Sequence, residues 1–318
     1  MISGETSLPR TFSPGLFGKV PAQGDFVRIN VVDPTAQEFS RWIQEGYETL
    51  HRVGNDLPKQ PICFYFSSPL ARNLLVGAMV PSRDQVGREF PVAVFAPVES
   101  SSVGAQFFLV PLAFGRFLSA AAALLAAAPT LGAAQLANEV NALPLPNLGD
   151  WNVADMQRKL QLQQDSGSLL NQFAESTEAD GTHYAMRTFL MACESERNGA
   201  PNKARVVLDC PLAGVGPLPW LELAGRILEW GARSPSFLWT EATPARVLFA
   251  LGPMPASALG YLARPELPLT VFWPLKTPHA SARSAAQQAL PPEQRRAIDD
   301  RGLSIDQLFS HLSGRPCR

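Results

Sequence analysis

The sequence predicts an α/β protein, a layered αβα sandwich built on a mixed sheet. Three observations predict it. Short apolar runs are bounded by prolines, amphipathic helical stretches lie between them, and an aromatic-strand, turn, apolar-strand layout occurs twice. The 318 residues are 46% hydrophobic and 17% charged, enough for one large unit or two domains with their own cores. The 29 prolines spread from Pro9 to Pro316. Because proline lacks the backbone N–H and ends helices and strands, the chain must consist of many short elements.

Residues 1–12 read as a flexible N-terminal arm. GLFGKVPAQGDFVRINV follows, with room for a short strand around Leu16 and Phe17. Asp33 is a good N-cap before Pro34, and Phe39, Trp42, Ile43, Tyr47 and Leu50 recur at helical spacing, giving a helix with an aromatic inner stripe. PICFYFS, NLLVGAMVP and FPVAVFAPV read as three strands, the second buried on both faces because its apolar run is continuous. SRDQVGRE between the last two is a turn. Residues 105–137 read as helix, interrupted near Pro111 and Pro129. A polar helical middle runs from Asp150 to about Gly199, with Trp151, Met156 and Leu160 marking one face. ARVVLDCPL is a strand and LPWLELAGRILEWGA a helix; PSFLWT, ARVLFALG and LPLTVFWPL are three more strands. The polar tail ends in SIDQLFSHL, where Ser304 and Gln307 form a capping box.

Segments 63–82 and 236–256 share their layout, each follows a Trp-containing helix, and each precedes a similar run, FPVAVFAPV or LPLTVFWPL. Apolar strands share a small alphabet, so duplication and chance alignment both stay open. The resulting division is 13–137 as an N-terminal α/β domain, 138–275 as a second α/β half, and 276–318 as a polar tail with a short helix.

The formal charge of −1 gives no long-range attraction to nucleic acid or anionic membrane. Cys63, Cys193, Cys210 and Cys317 stand far apart with no zinc-ligand spacing, which fits a reducing compartment. The N-terminus lacks the apolar core of a secretory signal, and the Ala-rich run at 117–128 is too short to span a bilayer. The expectation is a soluble cytoplasmic protein without direct membrane insertion. GxSxG, HExxH and phosphate-loop signatures are absent, and Gly18-Lys19 is followed by Val20-Pro21 rather than Ser or Thr. His51, His183, His279 and His311 are scattered, and Asp299-Asp300 lie in the tail. The expectation is therefore no catalytic set, no metal and no cofactor.

Two polar clusters interrupt apolar surroundings. One is Gly24-Asp25-Phe26 with Arg28; the other runs from Pro81 through Ser82, Asp84, Gly87 and Arg88 to Pro91. Each combines an acid, an arginine, glycine and an aromatic. One reading is an internal salt bridge that staples the two loops, with Asp25 and Arg88 as natural partners. The other is a recognition surface at a sheet edge. Glycine-flanked polar loops mostly close turns, which favours the staple. Trp42 and Trp151, at helical spacing, read as core more readily than as a ligand cage.

On these residues the sequence resembles the TagF (ImpM) family of type VI secretion-associated proteins. FGKVPAQGDFVR is similar to a GKxPxxGDFxxR segment, Trp42 lies in the helix after it, and VPSRDQVGREFP is similar to PSxDxVGRxFP. The resemblance covers roughly residues 13 to 130, and Gln85 and Glu89 depart from the usual pattern. It implies a non-enzymatic, stand-alone cytoplasmic regulator that restrains type VI secretion after translation. It also implies partners among type VI secretion proteins, including a forkhead-associated-domain protein. The family motif falls on Gly18, Lys19, Pro21, Gly24, Asp25, Phe26, Arg28, Trp42, Pro81, Ser82, Asp84, Gly87, Arg88, Phe90 and Pro91. Two alternatives compete with that reading. One is an enzyme using Asp25, Arg88 and a distant acid such as Asp209, although a neighbouring arginine would lower the acid's pKa and spoil a base poised near neutrality. The other is a structural subunit of the apparatus.

Overall fold

In the computed structural model the residues described are 9–52, 56–68, 72–173, 181–198, 206–212, 216–228, 235–266, 270–276 and 279–314. Nine strands form one mixed sheet: β1 (Gly15–Gly18), β2 (Val27–Ile29), β3 (Ile62–Ser67), β4 (Asn73–Val80), β5 (Val92–Glu99), β6 (Val207–Pro211), β7 (Ser236–Thr240), β8 (Arg246–Ala250) and β9 (Phe272–Pro274). Their order is β2-β1-β5-β4-β3-β7-β8-β6-β9. Pairing is antiparallel throughout except between β6 and β9. The mixed α/β sheet expected from the sequence is present.

Strand residues alternate between two apolar layers, as the two-residue period of a pleated strand requires. On β4, Leu74, Val76 and Ala78 enter one layer, and Leu75 and Met79 enter the other. On β5, Val92, Val94, Ala96 and Val98 face the first layer, while Ala93 and Phe95 face the second. The second layer is closed by helix α1 (Pro34–Arg52), whose Phe39, Trp42 and Ile43 pack inward, and by the helix Ala258–Ala263. The first is closed by the helices Gly115–Ala127, Leu148–Leu162, Thr182–Asn198, Leu218–Ile227 and Ile305–Ser313. Buried on both sides, the sheet explains why its strands read as continuous apolar runs.

Local signals set many element ends. Asp33 Oδ1 accepts the Thr35 N–H at 2.8 Å, which caps α1. The expected Ser304/Gln307 box closes with bonds of 3.2 and 2.9 Å. A second box, Asn147/Asp150, starts the helix Leu148–Leu162 and escaped the sequence reading because Asn and Asp are common in loops as well. Pro111 sits in the first turn of Val110–Ala113, where a missing N–H costs nothing, so it opens a helix rather than interrupting one.

Other expectations change. Trp151 is buried while Met156 and Leu160 of the same helix are exposed, so these three do not share a face. The strand expected over 267–275 narrows, among the described residues, to Phe272–Pro274, and residues 267–269 lie outside them. The end of the helix expected to run through Trp230, and Cys317, also lie outside. Cys193 and Cys210 are buried, whereas Cys63 is half-buried, and burial pushes its thiol up to about 12.

The two similar sequence segments become the hairpins β3–β4 and β7–β8, joined through antiparallel β3–β7 pairing. Tyr65 stacks on Phe237 across that seam, with ring centroids 4.8 Å apart. The layouts then diverge. β5 pairs with β4, but β9 pairs with β6 and not with β8. The two Trp helices also pack on opposite faces, Trp42 in one layer and Trp220 in the other.

Among the described residues no single helix is long and apolar enough to cross a membrane. Gln106–Ala113 and Gly115–Thr130 meet at a 49° bend at Phe114, and Phe107, Val110, Phe114 and Phe117 are buried inside the fold.

Candidate functional site

The two polar clusters come together beside β1 and β5, and a buried carboxylate joins them. Asp84 is only 2% exposed. Its Oδ2 receives Lys19 Nζ at 3.1 Å and Arg88 Nε at 2.7 Å, while Oδ1 accepts the backbone N–H groups of Val86 and Arg88 at 3.1 and 2.8 Å. Arg88 reaches on from Asp84, donating from Nη2 to the Gly24 carbonyl at 2.5 Å. The Gln85 N–H donates to the Gln23 carbonyl at 2.9 Å, a further stitch between the loops.

The staple expected from the sequence is there, but with a different acid. Asp25 is exposed, and its Oδ1 accepts the Phe26 N–H at 2.7 Å; Arg88 pairs with Asp84 instead. The reason is geometric. Asp84 begins a tight turn in which Gly87 donates to the Asp84 carbonyl at 3.0 Å with φ of 85°, and the turn brings Arg88 back onto the carboxylate four residues earlier.

Three of the aromatics form the floor. Phe26 stacks on Phe17 at 5.6 Å and meets Phe90 edge-on at 4.8 Å. Lys19 lies 5.3 Å over the Phe26 ring and Arg28 5.0 Å over the Phe17 ring. Trp42 stands apart from the loops as a core residue. Its indole N–H donates to the Met254 carbonyl at 2.9 Å, which ties α1 to the segment after β8. Ser82 accepts the Phe90 N–H with its carbonyl and lines a cavity of about 190 Å³ with Tyr47, Asp56, Lys59, Glu89 and Phe90. Val86, 70% exposed, projects at the tip of the stapled turn.

Residues 15–143 match the model of the TagF N-terminal domain, type VI secretion system-associated. The chain carries a TagF N-terminal domain. Both stapled loops, the aromatic floor and Trp42 fall inside it. A solved structure, PA0076 from Pseudomonas aeruginosa PAO1, is similar at 19% identity with a TM-score of 0.48, over 82% of this chain and 99% of that one. No curated protein matches the chain.

The motif residues of the TagF domain therefore have physical roles. Gly87 permits the left-handed turn, Asp84 neutralises a buried lysine, Arg88 bridges the loops, and Phe26 and Phe90 pack beneath them. Burial pushes the Asp84 carboxyl up, but the backbone N–H and guanidinium of Arg88 and the Lys19 ammonium pull it down further. The net result is a carboxyl well below the usual carboxylate range. A depressed native pKa gives stability that is complete above the unfolded value of about 3.9 and is lost as pH falls through the native value. Asp84→Asn will accordingly melt at a lower temperature than the parent chain at pH 7, and the gap will close in strongly acidic buffer. Thermal unfolding across that range checks it; a gap that stays constant into strong acid contradicts the assignment.

The residues of the acid–base alternative are not brought together. Asp25 lies between β1 and β2, at one end of the sheet, and Asp209 is on β6, the eighth strand of the order. Asp209 Oδ2 instead receives the Tyr261 hydroxyl at 3.0 Å and Arg246 Nη1 at 3.2 Å. Burial raises the Asp209 carboxyl against the opposing pull of Arg246 and Tyr261. Among the described residues no three His, Cys, Asp or Glu side chains are placed to hold a metal ion. A second concavity, of about 450 Å³, lies outside the TagF domain between the helices Thr182–Asn198 and Ala280–Ala289 and β9.

Sequence reasoning missed the largest buried charge cluster. Glu222 accepts Arg158 Nε and Nη2 at 2.9 and 3.0 Å and Arg226 Nε at 3.1 Å, and Arg226 continues to Asp306 at 2.6 Å. Only the Glu222/Arg226 spacing of four was visible in the sequence. The other members lie on different helices.

Proposed function

We propose that this chain acts in type VI secretion by binding a partner protein through the stapled loops of its TagF domain. In this reading it is a cytoplasmic, post-translational negative regulator of assembly or secretion. The partner sits among the type VI secretion proteins, with a forkhead-associated-domain protein as the leading candidate. One observation carries the proposal. A buried ion pair, two backbone N–H bonds to its carboxylate and four backbone–backbone bonds hold a turn on which Val86 is apolar and exposed. A turn fixed this firmly loses little conformational entropy on docking, which favours recognition by a preformed surface. The family match supplies the secretion context.

The test is deletion of the gene with assay of the secreted tube protein. Deletion should raise secretion, and the parent chain should restore repression. Val86→Asp should leave the melting temperature unchanged, abolish pull-down of type VI components and fail to repress. Unchanged or reduced secretion on deletion would overturn the regulatory direction; a fully active Val86→Asp would move the binding surface elsewhere.

A further inference from the structure

The concavity of about 450 Å³ outside the TagF domain is walled by two helix faces and by the last strand of the sheet order. Tyr184, Arg187, Thr188 and Met191 recur at spacings of three and four on the helix Thr182–Asn198, so a stripe about 10 Å long faces it. Ala282, Ala285 and Ala286 do the same on the helix Ala280–Ala289, and their small side chains leave the space open. Trp273 lines it from β9. The volume lies within the range of small-molecule sites, roughly 300–1,000 Å³.

Arg187 is the one charged side chain among the described residues that line the concavity, and it is half-buried. The buried arginines of the described residues each hold a carboxylate: Arg158 and Arg226 hold Glu222, and Arg246 holds Asp209. Arg187 has no ion pair or hydrogen bond among the described residues. Its own helix supplies no acid, since the residues three and four away are His183, Tyr184, Leu190 and Met191. The Tyr184 and Thr188 hydroxyls on the same stripe are equally without a bond among the described residues. A guanidinium and two hydroxyls thus form a group of donors that no described acceptor uses.

We propose that this concavity is a binding site for a small aromatic monocarboxylate. One cation in an otherwise uncharged wall matches one negative charge, and the planar fork of a guanidinium takes a carboxylate through two parallel bonds. The Tyr184 and Thr188 hydroxyls add donors for the same oxygens. A doubly charged phosphate would leave half of its charge unpaired in this wall. Met191 and the three alanines suit an uncharged body, and the Tyr184 and Trp273 rings favour one that is flat and aromatic. The site lies outside the TagF domain, and the inference stands apart from the proposed partner binding.

Ligand-observed NMR titration of the full chain with phenylbutyrate tests it, with phenylbutanol as the uncharged counterpart. The acid should bind with a Kd on the order of 100 μM, and the alcohol about tenfold more weakly or worse. Arg187→Met should weaken the acid by about tenfold and leave the alcohol unchanged, a selectivity that loss of packing would not produce. Arg187→Lys keeps the charge without the fork and should fall between. Ala285 is exposed, so Ala285→Trp should fill the concavity without disturbing the core. It should abolish binding of both compounds and leave the melting temperature unchanged. An acid that does not bind, or that binds Arg187→Met or Ala285→Trp as well as the parent chain, overturns the proposal. So does an alcohol that binds as tightly as the acid.

Discussion

Glu222→Ala should destabilise the fold by about 3–5 kcal/mol, among the largest effects available to a single substitution in this chain. Glu222, Arg158 and Arg226 are all less than a tenth exposed, and the one carboxylate serves two guanidinium groups. Removing it leaves two cations in an apolar layer, where Arg158 lies 5.0 Å over Phe108 and Arg226 5.6 Å over Phe309. Arg226 keeps Asp306 and Arg158 keeps Asp155 at 3.4 Å, but both cations lose the one carboxylate that is itself fully within the apolar layer. Two further variants separate loss of charge balance from loss of packing. Glu222→Gln retains the size and a single acceptor and should fall between the parent and Glu222→Ala. The combined Arg158→Met/Glu222→Leu/Arg226→Met, which removes every buried charge of the triad, should recover most of the loss. Thermal and urea unfolding of the three variants gives the comparison. A triple variant as unstable as Glu222→Ala would show that packing, not charge, sets the cost.

Gly18→Ala should have a comparable effect for a different reason. Gly18 ends β1 at φ of 143°, and an added Cβ would lie 2.3 Å from the Pro91 carbonyl oxygen and 2.5 Å from Val92 Cα. Both are backbone atoms of the neighbouring chain segment, and Gly18 itself pairs with Val92. Neither can yield without opening the sheet. Backbone strain and overpacking each cost about 1–3 kcal/mol, and here they add. Gly87→Ala is the control. Its φ is 85°, but an added Cβ meets nothing within 4 Å, so it should cost only the backbone term of about 1–2 kcal/mol. The difference between the two alanines, read as the difference in unfolding free energy, isolates the clash. Equal losses would mean that the sheet absorbs the Cβ. Gly18→Ala also displaces Lys19, so the motif glycine protects the ion pair beneath the stapled loops as well as the strand pairing.

The motif segments were legible in the sequence because glycine, proline, acid and arginine interrupt apolar runs there, and the reading that they staple two loops follows from residue chemistry alone. Which acid closes the staple was not legible. Asp25 follows Gly24 and Asp84 stands three residues before Gly87, and only the return of the turn onto Asp84 decides that Arg88 reaches it. Trp42 read correctly as core from its spacing with Phe39 and Ile43. Its bond to the Met254 carbonyl, 212 positions away, was beyond any local signal.

What the sequence by itself determined is the set of elements and their apolar sides: proline and glycine fix the breaks, caps such as Asp33 and Ser304 fix the starts, and the periods of two and 3.6 fix which side chains turn inward. These are interactions within a few residues, so they are written in local order. What only the tertiary structure decided is which elements meet. The antiparallel seam of β3 with β7, the insertion of β6 between β8 and β9, and the gathering of Arg158, Glu222, Arg226 and Asp306 from three helices join positions far apart in the chain. Many pairings of apolar strands satisfy the same pattern, and the packed arrangement that buries both faces while neutralising every charge in the triad selects among them.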